Sequence, residues 1–96
     1  MSHFLIYTED KPDSLQIRQE NRAAHLDWVR NDPKVTLLSA GPWLDDAGDM
    51  RGSLLIVGSD SLKTVEDWLA QDPYGKAGLT GFKRVRAFNW LIGAPD

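Results

Sequence analysis

Arg18, Arg22 and His25 stand at i, i+4 and i+7 of one segment, a spacing that puts all three on one stripe of a helix. Leu15 and Val29 extend that stripe in both directions, so the polar triplet borders apolar residues where a solvated row would meet more charge. An imidazole beside guanidinium groups can move a proton near neutral pH while an anionic oxygen is held in a planar fork. The plainer reading is a solvated face with a histidine at its edge. His25 therefore needs a partner. The best candidate is Asp72, in Gln71-Asp72-Pro73-Tyr74, where a second helix must stop. A carboxylate on one imidazole nitrogen fixes the tautomer and raises the basicity of the other, which prepares a general base. Asp before Pro is also an ordinary turn former; Pro73 reads as a stop signal and Tyr74 as a partly buried ring with its hydroxyl at the surface. At Gly52-Ser53 the glycine permits close backbone approach and the hydroxyl could bond a ligand or the histidine. No nucleophile elbow surrounds Ser53, which argues against a Ser-His-Asp hydrolase. His3 has no evident partner and reads as structural. Two distant histidines with scattered carboxylates make no metal signature, and neither a metal nor a cofactor is expected.

The elements that must position these groups are legible from punctuation and periodicity. His3 to Thr8 reads as a first strand, ended by Glu9-Asp10-Lys11-Pro12-Asp13. Asp13 with Gln16 suggests a capping box, and Leu15, Arg22, Leu26 and Val29 keep helical spacing until Asn31-Asp32-Pro33. Val35 to Leu44 and Gly52 to Gly58 read as a hairpin around the polar loop Asp45–Asp49, with Gly41-Pro42 fitting a bend. Ser59-Asp60-Ser61 offers a cap for a second helix, in which Leu62, Val65 and Leu69 share a face and which Pro73 closes. Tyr74 to Gly81 reads as a glycine-rich loop, and Phe82 to Leu91 as a last strand with apolar groups on both faces.

The order β-α-β, then β-α-β, with right-handed crossovers, predicts an α+β fold of the ferredoxin-like split β-α-β kind: one antiparallel sheet with both helices on the same face. The two helices then lie side by side, and a residue that ends one can approach the middle of the other. The opposite sheet face is left bare, where Trp43, Phe88 and Trp90 could gather. Such a patch is rarely left to water, so a homodimer through the open sheet face is expected, unless some of these rings belong to the monomer core.

A chain of 96 residues has room for one core, so residues 1–96 are expected to form a single domain. With 42% hydrophobic and 26% charged residues the composition is that of a globular protein. No cysteine is present, which excludes disulfides, thiolate nucleophiles and Cys-based metal sites and fits a cytoplasmic location. No apolar run approaches the roughly 20 residues of a membrane span, and Met1-Ser2-His3-Phe4 lacks a leader pattern. A net charge of -3, with basic residues scattered apart from Lys83-Arg84-Val85-Arg86, argues against nucleic acid as a partner. A small-molecule ligand is the expected partner.

Arg22 with His25-Leu26, then Ala40-Gly41-Pro42, Gly52-Ser53, Trp68-Leu69-Ala70, Asp72-Pro73-Tyr74 and Ala77-Gly78-Leu79 follow one another in an order and spacing that resembles the YciI-like (YCII-related) family over nearly the whole chain. That resemblance implies a dimeric α/β-barrel type of the ferredoxin-like fold and an active site centred on a histidine and an aspartate, here His25 and Asp72, with Ser53 and Tyr74 as neighbours. The family is similar to a chlorinated hydroxyhydroquinone dehydrochlorinase and, more distantly in fold, to muconolactone isomerase. The resemblance implies a cofactor-free lyase or isomerase with His25 as general base or acid, Asp72 orienting it, and Arg18 or Arg22 holding an anionic oxygen of a small oxygenated substrate. The alternatives are a non-catalytic small-molecule-binding or accessory module and a structural interaction protein, since the fold alone does not argue for catalysis.

Overall fold

The computed structural model describes residues 1–95. Four strands, β1 (Ser2–Asp10), β2 (Thr36–Leu44), β3 (Met50–Ser59) and β4 (Thr80–Ala87), alternate with α1 (Leu15–Arg30), α2 (Leu62–Leu69) and the short α3 (Pro73–Lys76). They form one sheet in the order β2-β3-β1-β4, in which every neighbouring pair is antiparallel. This is the α+β, ferredoxin-like arrangement that the element order implies, of the dimeric α/β-barrel type.

The strand pleat decides what each face carries. Phe4, Ile6 and Thr8 of β1, with Ser53, Leu55 and Val57 of β3, are buried and point one way. Val29 of α1 and Val65, Trp68 and Leu69 of α2 close over them, so both helices cover the same face. Each fully buried aliphatic of this set contributes about 1.5–3 kcal/mol. Leu5, Tyr7, Leu54 and Ile56 point the other way, joined by Phe82 and Arg84 of β4. Trp43 lies on this open face too, stacked on Tyr7 at a centroid distance of 5.8 Å. Its indole crosses Gly52 and donates from Nε1 to the Thr8 carbonyl at 2.8 Å. A Cβ at residue 52 would meet both that carbonyl oxygen and the indole nitrogen, so only glycine fits there.

Four boundaries differ from those expected. Asp13 does not cap α1: it adopts a positive φ of 57°, and Ser14 is the N-cap residue. The Ser14 hydroxyl donates back to the Pro12 carbonyl, while Gln16 bonds Glu20, so no capping box forms. Pro73 does not close α2, which ends at Leu69; it opens α3 from the N1 position, where its missing N–H costs nothing. The stretch from Tyr74 is therefore a helical turn to Lys76, a short turn over residues 77–79 and then β4 from Thr80, where a loop to Gly81 was expected. Strand β4 ends at Ala87, short of Leu91: Ala87 pairs with Phe4, and the Phe88 N–H makes a last bond to the His3 carbonyl. Beyond it Trp90 sets its edge against the His3 ring, and Leu91 is 81% exposed. Gly41 and Pro42 continue β2 in regular pairing, and the register shifts fall between Leu37 and Ser39 and between Trp43 and Leu44. Proline is tolerated there because β2 is an edge strand.

Candidate functional site

The helical spacing does bring Arg18, Arg22 and His25 to one side of α1, where they line a cavity of about 340 Å³ between that helix and strands β2 and β3. Leu26 and Val29 continue the same wall, Leu37 to Pro42 form the opposite one, and Ser53, Leu55 and Tyr74 contribute from below. His25 itself is buried. Its Nδ1 lies 2.9 Å from Oδ1 of Asp72, and the same carboxylate oxygen accepts the backbone N–H of Tyr74 at 2.9 Å. Asp72 is thus the N-cap residue of α3 and the partner of His25 at once. A carboxylate in this position accepts the Nδ1–H, which leaves Nε2 with its lone pair. Among the described residues Nε2 has no hydrogen-bond partner, and the ring lines the cavity while Asp72 stands behind it. In that arrangement an imidazole without a proton on Nε2 could take one from a bound molecule.

Tyr74 holds the imidazole from the side. Its ring stacks on His25 at a centroid distance of 4.0 Å and an interplanar angle of 11°, and the Arg18 guanidinium sits over it at 4.7 Å. Arg18 is pinned in turn. Nε and Nη2 donate to the two oxygens of Asp10 at 2.6 and 2.8 Å, and Nη2 also reaches the Ser53 hydroxyl at 3.0 Å. Burial alone would lower the Arg18 guanidinium, but its bonds to Asp10, with smaller pulls from Tyr74 and Asp72, outweigh burial and raise it above its ordinary value. Ser53 is fixed from the other side, since its N–H donates to the Thr8 hydroxyl at 3.0 Å. The chain of contacts runs Asp10, Arg18, Tyr74, His25, Asp72, and its five members come from three places in the sequence: the end of β1, helix α1 and the start of α3.

Burial raises the Tyr74 phenol above its ordinary value; Arg18 and Arg22 oppose the shift and Asp72 and Asp10 reinforce it. A phenol held above its unfolded value stabilises the fold while protonated, so the contribution is whole below about pH 10 and is lost as pH rises through the folded value. Tyr74→Phe is expected to flatten the alkaline fall of the urea midpoint above about pH 10 relative to the unsubstituted protein. Parallel pH profiles for the two proteins would refute this.

Residues 2–89 match the sequence pattern of the YCII-related domain. The chain belongs to the YCII-related family. Protein YciI of Escherichia coli is 35% identical over 92 residues, covering 88% of this chain and 94% of its own. A Haemophilus influenzae relative is 32% identical over 93 residues, covering 90% of this chain and 95% of its own. Among solved structures the chain is similar to the 5-chloro-2-hydroxyhydroquinone dehydrochlorinase TftG of Burkholderia phenoliruptrix, in complex with 2,5-dihydroxybenzoquinone. The TM-score is 0.78 and the identity 36%, over 91% of this chain and 93% of that one. A NIPSNAP domain protein of Burkholderia xenovorans shares the fold at a TM-score of 0.57 and 14% identity, over all of both chains.

Within this family frame, the residues that the sequence singles out do not share one situation. His25, Asp72, Tyr74, Arg18 and Ser53 are buried and connected, whereas Arg22 is exposed at the cavity and has no protein partner among the described residues. Ser53 bonds Arg18 and has no bond to His25, so no serine nucleophile is paired with the imidazole. Asp10 is the residue that sequence reasoning missed. It sits in a run of turn formers, and only its place as the last residue of β1, beside a helix carrying an arginine, hinted at its use. Trp28 was missed as well: it lies 5.6 Å from the His25 ring and stacks on Trp68 at 4.2 Å, backing the imidazole with the core.

Proposed function

We propose that this protein is a cofactor-free lyase or isomerase that moves a proton on a small, oxygenated, anionic substrate, aromatic rings included, with dehydrochlorination as the leading reaction type. The observation that carries this reading is the His25 ring, bonded through Nδ1 to the Asp72 carboxylate and open on its other side to a cavity of about 340 Å³. In this role Nε2 of His25 takes the proton, and Asp72 holds the tautomer and stabilises the imidazolium that forms. Arg22, without a protein partner among the described residues, holds the developing oxyanion. Arg18 is a positioning residue, its fork already occupied by Asp10. The likeness to TftG supports a reaction in which a proton and a chloride ion leave the same ring.

The test is to incubate the protein with 5-chloro-2-hydroxyhydroquinone and follow chloride release, and to follow deuterium wash-in from heavy water at the ring of chlorine-free hydroxyhydroquinone. Catalysis of either supports the proposal. Saturable binding with neither reaction would make the protein a ligand-binding module.

The proposal includes a homodimer through the open sheet face. Leu54 and Phe82 are 43% and 40% exposed there, beside Tyr7 and Trp43, an apolar patch that association would remove from water. Sedimentation equilibrium is expected to return twice the chain mass, falling to one chain mass for Leu54→Lys. A monomer for the unsubstituted protein at micromolar concentration would sink this part.

A further inference from the structure

Of the six arginines in the chain, four are engaged by the protein itself: Arg18 by Asp10, Arg51 by Asp45, Arg84 over the Phe82 ring and Arg86 on the Val85 carbonyl. The two that have no such partner among the described residues, Arg22 and Arg30, both line the cavity. They lie eight residues apart on α1, about 12 Å along the axis at 1.5 Å per residue. Between them the helix presents Leu26 and Val29, and Leu37 and Leu55 face these across the space. Among the described residues no Asp or Glu lines the cavity, in a chain whose net charge is -3.

A guanidinium at each end of an apolar trough, with no carboxylate among the described residues to neutralise either, is a recognition pattern for a molecule that is itself anionic at both ends. We infer that Arg30 forms a second anion subsite, and that the ligand of this cavity is a planar, single-ring dianion whose one acidic end meets Arg22 and His25 and whose other end meets Arg30. The apolar middle covers the faces of the ring, while each fork takes an oxygen pair in bidentate fashion. Arg30 stands in the last turn of α1, where any cation complements the helix terminus. That duty does not require its side chain to line the cavity. The inference rests on the cavity being the substrate site, but not on the chemistry done there.

The experiment is titration calorimetry at low ionic strength with two probes that differ by one carboxylate, 2,5-dihydroxybenzoate and 2,5-dihydroxyterephthalate. The unsubstituted protein is expected to bind the terephthalate about tenfold more tightly, as one added charge-assisted contact implies. Arg30→Gln is expected to abolish that preference while leaving the affinity for the benzoate within about twofold, whereas Arg22→Gln weakens both probes. Equal affinities for the two probes in the unsubstituted protein, an equal loss of both in Arg30→Gln, or no binding of either at millimolar concentration would overturn the subsite. A diacid preference in a protein that releases no chloride and exchanges no proton would leave the subsite standing and remove the catalytic reading. Catalysis without the preference would do the reverse.

Discussion

Replacing His25 with glutamine is expected to lower chloride release from 5-chloro-2-hydroxyhydroquinone by about 100- to 10,000-fold, the usual range for losing a general base. The fold should persist, because glutamine can still bond Asp72 and the imidazole lies at the cavity wall, where the loss is expected to stay within about 1–2 kcal/mol. Asp72→Asn is the sharper variant. Asparagine caps a helix as well as aspartate does, so α3 and the bond from the Tyr74 N–H are kept. What disappears is the negative charge that selects the Nδ1–H tautomer and stabilises the imidazolium, a loss worth up to about 10,000-fold where a carboxylate orients a catalytic histidine. Nitrogen-15 spectra of the imidazole should therefore report the proton on Nδ1 in the unsubstituted protein and a mixture of tautomers in Asp72→Asn. Rates for His25→Gln within a few-fold of the unsubstituted protein, or a proton found on Nε2 with Asp72 intact, would remove His25 from the role of base.

The meeting of His25 and Asp72 was legible because it follows from two regular features. Helical periodicity puts His25 on the stripe with Arg18 and Arg22, and the order of elements places the residues that follow α2 beside the middle of α1. Both depend on patterns that repeat along the chain. The open sheet face was legible for the same reason, since the pleat puts Trp43 among the outward residues. The details that escaped are those where one residue type has two local meanings. Pro73 can stop a helix or start one, and Asp72 before it as a cap decides for starting. Asp13 can cap a helix or sit at positive φ, and the left-handed position falls to Asp13 while Ser14 begins the helix. The end of β4 depends on its pairing with β1, a partner that is remote in sequence. The pairing of Asp10 with Arg18 crosses a strand end, a turn and the first turn of a helix, and no periodicity links the two positions. Sequence reading therefore offered Arg18 and Arg22 as equal anion holders, whereas the structure commits the first to Asp10 and gives the second no partner among the described residues.

That pairing carries the largest expected stability effect. The side chains of Arg18 and Asp10 are only 4% and 5% exposed, so each charge depends on the other for what water would otherwise supply. Asp10→Ala leaves a buried guanidinium with the Ser53 hydroxyl as its remaining hydrogen-bond acceptor and the Tyr74 ring beneath it, and is expected to cost about 3–5 kcal/mol of unfolding free energy, measured by urea denaturation. The double variant Asp10→Leu with Arg18→Met removes both charges together and is expected to recover most of that loss, since apolar side chains of similar volume replace a buried pair at little or no cost. Activity is expected to part company with stability here. Without the guanidinium over its ring, Tyr74 loses one of its supports, and the imidazole stacked on it is held less firmly toward the cavity. The double variant should thus be nearly as stable as the unsubstituted protein yet slower in chloride release, with kcat affected more than KM because binding through Arg22 is untouched. If the single variant loses less than about 1 kcal/mol, the pair is no more than a surface salt bridge. If the double variant is stable and fully active, Arg18 has no positioning role, and the stack of Tyr74 on His25 holds the imidazole unaided.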